Sequence, residues 1–236
     1  MSFSHGSPSI PTSGLQFYVD VANPRSYVSG SNKIYDLSGN NYTGSLINTP
    51  IYNSANGGYL SFSSSSQHYI DFTDVLNLVG SAISGIGWVY VTSYETFAGG
   101  HSPILNKFGG SGNFRFSIGG NGAISIMRRA ADSNTSQVAG DTGEIPLGVW
   151  AHVAFTDEAS GSPPTGKLYK NGYPSAAYPL GTVSRATTTT PLRIGYEENN
   201  VTYLNGRFAQ ALLYNTRLTD AEILQHFNAT RWRFGI

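Results

Sequence analysis

Residues Phe114 to Met127 read FRFSIGGNGAISIM. Phe114 to Ile118 alternates apolar and polar side chains, a period of two that gives an extended strand one apolar face. Asn121-Gly122 separates it from a second such segment, Ala123 to Met127, and this dipeptide accepts the positive φ of a tight hairpin. Lys167 to Lys170 followed by Asn171-Gly172 repeats the arrangement. Asn56-Gly57-Gly58 and Asn205-Gly206 mark two more reversals.

Working outward, similar short segments recur at Leu15 to Val21, Tyr59 to Phe62, Tyr69 to Phe72, Ile86 to Val91, Trp150 to Thr156, Leu192 to Ile194 and Arg207 to Tyr214. The 28 Gly and 11 Pro that punctuate them make up about one residue in six, above the usual share of roughly 12%. Strands at this spacing with turns between them argue for a sandwich or barrel, and because no amphipathic stretch of helical length separates them, the prediction is an antiparallel meander and not a parallel sheet. One helix is signalled, near the end. Thr219 with Glu222 makes a capping box, Leu218 with Ile223 a hydrophobic staple, and Ile223 shares a face with Phe227. This helix is expected to seal one end of the fold.

Charge sets the next limits. The 236 residues carry 14 Lys+Arg and 14 Asp+Glu, a net charge of +0 with only 12% charged, about half the usual fraction of about 25%. The 13% of aromatic residues argues against disorder. Without a net field, charge-driven binding to nucleic acid or to an anionic membrane is excluded as a default. No cysteine is present, which removes disulfides, thiolate catalysis and Cys-ligated zinc. MSFSHGSPSIPTSG, Met1 to Gly14, has neither a basic nor an apolar leader segment, so no secretion signal is expected, and no window approaches a membrane span.

A search for catalytic chemistry ends without a set. GSPPTGK, Gly161 to Lys167, has the glycine and lysine spacing of a phosphate loop, but Leu168 follows the lysine and Pro163-Pro164 remove two backbone donors. His5, His68, His101, His152 and His226 lack the spacing of a zinc-binding helix face, and no G-x-S-x-G occurs. His152 reads as a sheet residue. Asp157-Glu158 are adjacent and point to opposite faces of a strand, unlike the same-face carboxylates of a glycosidase.

Two surfaces invite binding instead. The loop YETFAGGHSP places Tyr94, Phe97 and His101 near Asn106 and Asn113, an aromatic and amide set suited to stacking on a sugar and bonding its hydroxyls. The competing reading is a solvated loop with one anchoring tyrosine. At the C-terminus, Arg231, Trp232, Arg233 and Phe234 either fold back on the sandwich or dock on a partner. Arg128 and Arg129 fall on opposite sheet faces and form no patch. Trp88 and Trp150 read as packing residues.

The stretches GLQFYVDVANPRSY (Gly14 to Tyr27), YDLSGNNYTGSL (Tyr35 to Leu46) and GGYLSFSSSSQHYIDF (Gly57 to Phe72) resemble the opening of laminin-G-like, concanavalin-A-like jelly-roll domains. IGWVYV, WAHVAFT, KLYKNG, LRIG and LNGRFAQALLYNTRLTDAEILQHFNA follow in the family's order. The resemblance implies an all-β, two-sheet antiparallel jelly-roll sandwich with one short C-terminal helix. The expected organisation is a flexible arm over 1–13, the jelly-roll domain over 14–230 and a tail over 231–236. YVDVANPRSY and YDLSGNN, with a close on FNATRWRFGI, further resemble stand-alone members encoded by tailed bacteriophages as virion proteins.

The chain departs from the family where Ala209-Gln210 replaces a frequent acidic pair, which weakens any calcium site there. Asp20, Asn23 and Asp36 with loop carbonyls remain the candidate calcium ligands, in competition with a structural bond from Asp20 to a neighbouring turn; no other cofactor is implied. The expected function is a non-enzymatic virion accessory protein, a capsid decoration or tail-associated subunit, that binds neutral cell-surface glycans in many copies. The alternative is a purely structural virion subunit contacting other virion proteins, and a glycoside hydrolase stands behind both. The expected location is the virion, assembled in the host cytoplasm.

Overall fold

A computed structural model of the chain describes residues 9–79, 82–96, 100–109, 113–130, 132, 134–158, 165–179 and 183–236. Two eight-stranded antiparallel sheets face each other. The first runs Tyr173–Pro179, Thr165–Lys170, Trp150–Asp157, Ile83–Ser93, Asn205–Tyr214, Tyr59–Phe62, Ile51–Asn53, and Leu15–Asp20 also pairs with Asn205–Tyr214. The second runs Thr135–Ala139, Ile124–Arg129, Phe114–Gly119, His101–Asn106, Arg193–Ile194, Tyr69–Asp71, Thr43–Ile47, Lys33–Tyr35. Strands adjacent in a sheet are often far apart in sequence, as a jelly roll requires and a simple meander does not. Among the described residues no helix is long and apolar enough to cross a membrane.

The core lies between the sheets. Val89, Val153, Phe155 and Phe208 from the first meet Ile70, Phe116, Ile118 and Ile126 from the second, with Phe116 and Phe155 ring centroids 4.9 Å apart. The first sheet is buried on its outer face as well. There the terminal helix, Asp220–Thr230, sets Ile223 against Ile86, Ala154, Tyr169 and Leu212, while Phe227 and Phe234 join Trp88 and Trp150. Burial on both faces explains why Trp150–Asp157 is buried throughout and reads as a continuous run. The capping box forms as predicted, with Thr219 and Glu222 bonding each other's backbone N–H. The helix nevertheless covers a sheet face instead of sealing an end, because its apolar stripe needs the flat apolar surface around Trp88.

Two of the expected reversals differ. Asn171 (φ 50°) and Gly172 (φ 83°) both take the left-handed conformation of a two-residue hairpin. At Asn121-Gly122 only Gly122 does (φ 79°), and the turn is longer, closed by Gly122 N–H to the Gly119 carbonyl at 2.8 Å. Asn205-Gly206 is no reversal: both lie in the strand Asn205–Tyr214 at a register shift. A Cβ on Gly206 would fall 2.0 Å from the Tyr90 carbonyl oxygen, so glycine is there for close backbone approach.

Candidate functional site

Alternation along the strands of the second sheet decides what its outer face carries. Phe114, Phe116 and Ile118 point into the core, so Arg115 and Ser117 point outward. The ladder sets Ser125 opposite Ser117, Met127 opposite Arg115, and Gln137 and Ala139 opposite Met127 and Ser125. A small hairpin, Tyr196–Glu197 with Thr202–Tyr203, lies against the strand His101–Asn106 and walls this face on one side. Its Glu197 and Thr202 are buried, while Tyr196 and Tyr203 stack at 4.7 Å on its other face, with Tyr69 4.8 Å from Tyr196.

The result is a cavity of about 480 Å³ lined by Thr96, His101, Arg115, Ser117, Asn121, Ser125, Gln137 and the backbone of Gly100, Gly119 and Gly120. Glycine keeps one wall thin: a Cβ on Gly120 would lie 2.6 Å from the Glu95 carbonyl oxygen. The lining offers hydroxyls, amides, an imidazole and one guanidinium on a rigid sheet, the pattern of a site that orients a polar ligand by hydrogen bonds. Among the described residues the lining holds no carboxylate, whereas glycoside cleavage uses a pair of them.

Behind the lining stands a charged cluster. His101 Nε2 lies 2.7 Å from Glu197 Oε2 and 2.8 Å from an Arg115 terminal nitrogen, which is itself 3.6 Å from Glu197 Oε2. Asn200 Nδ2 donates to Glu197 Oε2 at 3.2 Å. Burial opposes ionisation of Glu197, but the His101 hydrogen bond and the Arg115 charge prevail and hold its carboxyl below the ordinary carboxylate range. Burial likewise pushes the Arg115 guanidinium down, and the Glu197 charge offsets part of that. The hydrogen bonds do not close. With its proton on Nε2, His101 donates to Glu197 but turns the same N–H toward the donor on Arg115; with Nε2 bare, it accepts from Arg115 but faces Glu197 lone pair to lone pair. Arg115 Nε, Ser117 Oγ and Glu197 Oε1 are buried with no partner among the described residues.

Of the residues the sequence put forward for sugar binding, His101 lines the cavity. Phe97 lies outside the described residues. Tyr94 is the anchor of the competing reading: its hydroxyl donates to the Ile145 carbonyl and its ring packs against the core. Asn106 and Asn113 are buried and committed to the fold. Asn106 donates to the Tyr196 carbonyl at 3.1 Å and accepts from Phe108 N–H at 3.0 Å, and Asn113 donates to the Ala186 carbonyl at 3.1 Å. The reason is that His101–Asn106 is a strand and not a loop; Pro103 hid it, sitting at a bulge where a missing N–H is tolerated. Arg115, Ser117, Ser125, Gln137 and Glu197 were missed, although the polar alternation in Phe114 to Met127 already put Arg115, Ser117 and Ser125 on one face.

The candidate calcium ligands all have partners within the fold. Arg233 reaches both Asp20 carboxylate oxygens at 3.0 Å, Gln210 Nε2 donates to Asp20 at 3.1 Å, and Ala22 N–H donates at 2.9 Å. Asn23 accepts from Arg25 N–H and Asp36 from the N–H groups of Tyr18 and Ser38. Each candidate ligand is spent inside the fold, and an arginine occupies the place a cation would need; no metal-holding group of His, Asp or Glu occurs among the described residues. The tail is corrected in part. Phe234 is buried, stacked on Trp88 at 4.0 Å, and Arg233 is held by Asp20, so neither is free for a partner. Arg231 and Trp232 are exposed, Trp232 to 75%.

A model of the Concanavalin A-like lectin/glucanases superfamily, Laminin_G_3, matches residues 64–224, more than half of the chain. No curated protein matches by sequence. Among solved structures, the binding domain of Paraclostridial Mosquitocidal Protein 1 is similar at 16% identity with a TM-score of 0.71, over 92% of this chain and 52% of that one. The botulinum neurotoxin type G receptor binding domain (14%, TM-score 0.67, 91% and 51%) and the serotype D binding domain (14%, 0.67, 92% and 52%) are similar in the same way. The chain spans about half the length of these structures, and at such identities the likeness is one of fold. By the family match, which runs from just before the strand Tyr69–Asp71 into the start of the terminal helix, the chain belongs to the Laminin_G_3 family of the concanavalin A-like lectin/glucanases superfamily.

Proposed function

We propose that this chain is a lectin-like binding domain that holds a glycan in the cavity on the outer face of its second sheet and catalyses nothing. The observation that carries this is the lining: hydroxyl, amide and guanidinium groups on a rigid sheet, with no carboxylate among them. Two of the similar structures are binding domains and a third is a receptor binding domain, which supports the reading by analogy. The resemblance at both ends of the chain supports a virion accessory role, on a capsid or tail of a bacteriophage, where many copies raise a weak single-site affinity by avidity.

A glycan array probed with the protein in multivalent form is expected to show binding, lost when Gln137→Trp fills the cavity from its exposed position while the melting temperature holds. No glycan bound at high multivalency would overturn the proposal. A second reading, a structural virion subunit without sugar binding, draws on the exposed Trp232. It predicts an empty array together with recovery of the protein from purified particles.

A further inference from the structure

We infer that the cavity takes an acidic sugar and reads its carboxylate through Arg115. This rests on the glycan reading of the same cavity and replaces the neutral ligand that the composition suggested.

Arg115 is 5% exposed, yet it lines the cavity. A buried guanidinium is normally matched by an acid and by acceptors for most of its five N–H groups. Here the match is incomplete. Among the described residues its carboxylate neighbour is Glu197, a long ion pair at 3.6 Å whose Oε2 is shared with His101 and Asn200. The contact from Arg115 to His101 competes with the bond from His101 to Glu197 for one ring nitrogen, so the two cannot both be good at once. Arg115 Nε has no partner among the described residues.

The surroundings lean the same way. Arg115 and Arg129 lie over the same Phe108 ring, 5.3 and 5.0 Å from its centroid, which gathers two guanidinium groups beside the cavity while its lining carries no acid. A carboxylate entering the cavity gives the guanidinium the planar acceptor it lacks, and His101 is then released to donate to Glu197 alone. Ser117, Ser125 and Gln137 remain to meet the ring hydroxyls.

The test compares oligosaccharides ending in a glucuronic or a sialic acid residue with their methyl esters, which keep the shape and lose the charge. Titration calorimetry is expected to give at least about tenfold weaker binding for the esters, the cost of losing a charge-assisted pair. Arg115→Lys, which keeps the charge but not the fork, is expected to narrow that ratio, and Arg115→Gln to abolish it, with circular dichroism checking the fold. Should neither variant fold, the acid-to-ester ratio on the unaltered protein decides alone. Equal binding of acid and ester, or binding of neutral glycans only, overturns the acidic ligand and leaves the glycan reading standing. No binding to any glycan overturns both.

Discussion

Asp157 stands at the end of a strand buried throughout, between two buried arginines. Arg128 Nε donates to its Oδ2 at 2.9 Å, and Arg185 pairs with the same oxygen. Burial pushes both guanidinium groups down to about 10, with the Arg185 charge adding to the effect on Arg128. Arg128 also donates to the carbonyls of Val183 and Glu158, and Arg185 to that of Leu78. The cluster thus holds two cations on one anion, and Asp157→Asn removes the carboxylate they share. A loss of about 3–5 kcal/mol is expected, the scale for breaking a buried pair from one side, read as a lowered urea midpoint with unchanged slope. A loss under about 1 kcal/mol would show that water reaches these arginines. None of this was legible in sequence. Asp157-Glu158 reads as two adjacent carboxylates of one strand, but the strand ends at Asp157, whose partners come from residues 128 and 185, and only the fold brings them together.

At the scale of elements, the C-terminal segment is the least expected piece of packing. The terminal helix continues into a single turn, Arg231–Phe234, that lays Phe234 on Trp88 and sets its ring 4.8 Å from Trp150. Asn56 ties the tail to the first sheet: it donates to the Arg233 carbonyl at 2.8 Å and accepts from Trp150 Nε1 at 3.2 Å. The tail is therefore part of the first sheet's cover. Phe234→Ala is expected to cost about 3–5 kcal/mol, as for a buried aromatic, and to shift tryptophan fluorescence toward that of a wetter indole. Thr219→Ala, which removes the N-cap, is expected to cost about 1 kcal/mol; a Phe234→Ala loss no larger than that would mean the tail is not packed in solution. The helix start was legible because a capping box is a local signal. The tail was not, since its apolar partner is a sheet face assembled from distant strands. The same contrast holds for His101–Asn106: proline conceals a strand locally, whereas alternation in Phe114–Gly119 reveals one.

For the molecule as a whole, the net charge of +0 hides where the charge sits. Asp20, Lys107, Arg115, Arg128, Asp157, Arg185 and Glu197 are all buried, so a quarter of the few charged residues work inside. The remaining surface is correspondingly weakly charged. Titration should then be governed by buried groups, and the largest set between pH 5 and 8 is a histidine pair under the terminal helix. His152 Nε2 and His226 Nδ1 are 3.0 Å apart and fully buried. Burial, with the neighbouring His226, pushes His152 well below the ordinary 6.5; burial, with the Arg233 charge, pushes His226 down to about 3. Both stay neutral in the folded protein where the unfolded chain takes up protons. Their contribution is present in full above pH 6.5 and is lost as the pH falls from there toward the folded values. His68, also lowered by burial, acts in the same direction. Glu197 and Asp220, whose carboxyls are held low, begin to add their own loss only below about pH 4.5. Between pH 8 and pH 5 the expected loss is about 2 kcal/mol for each histidine of the pair, measured by urea denaturation at the two values. His226→Asn, which keeps an amide near the Nδ1 position, should flatten that slope by roughly the share of one histidine whatever it does to stability at pH 8. An unaltered slope in this variant would place the acid sensitivity elsewhere and would argue that water reaches the pair beneath the helix.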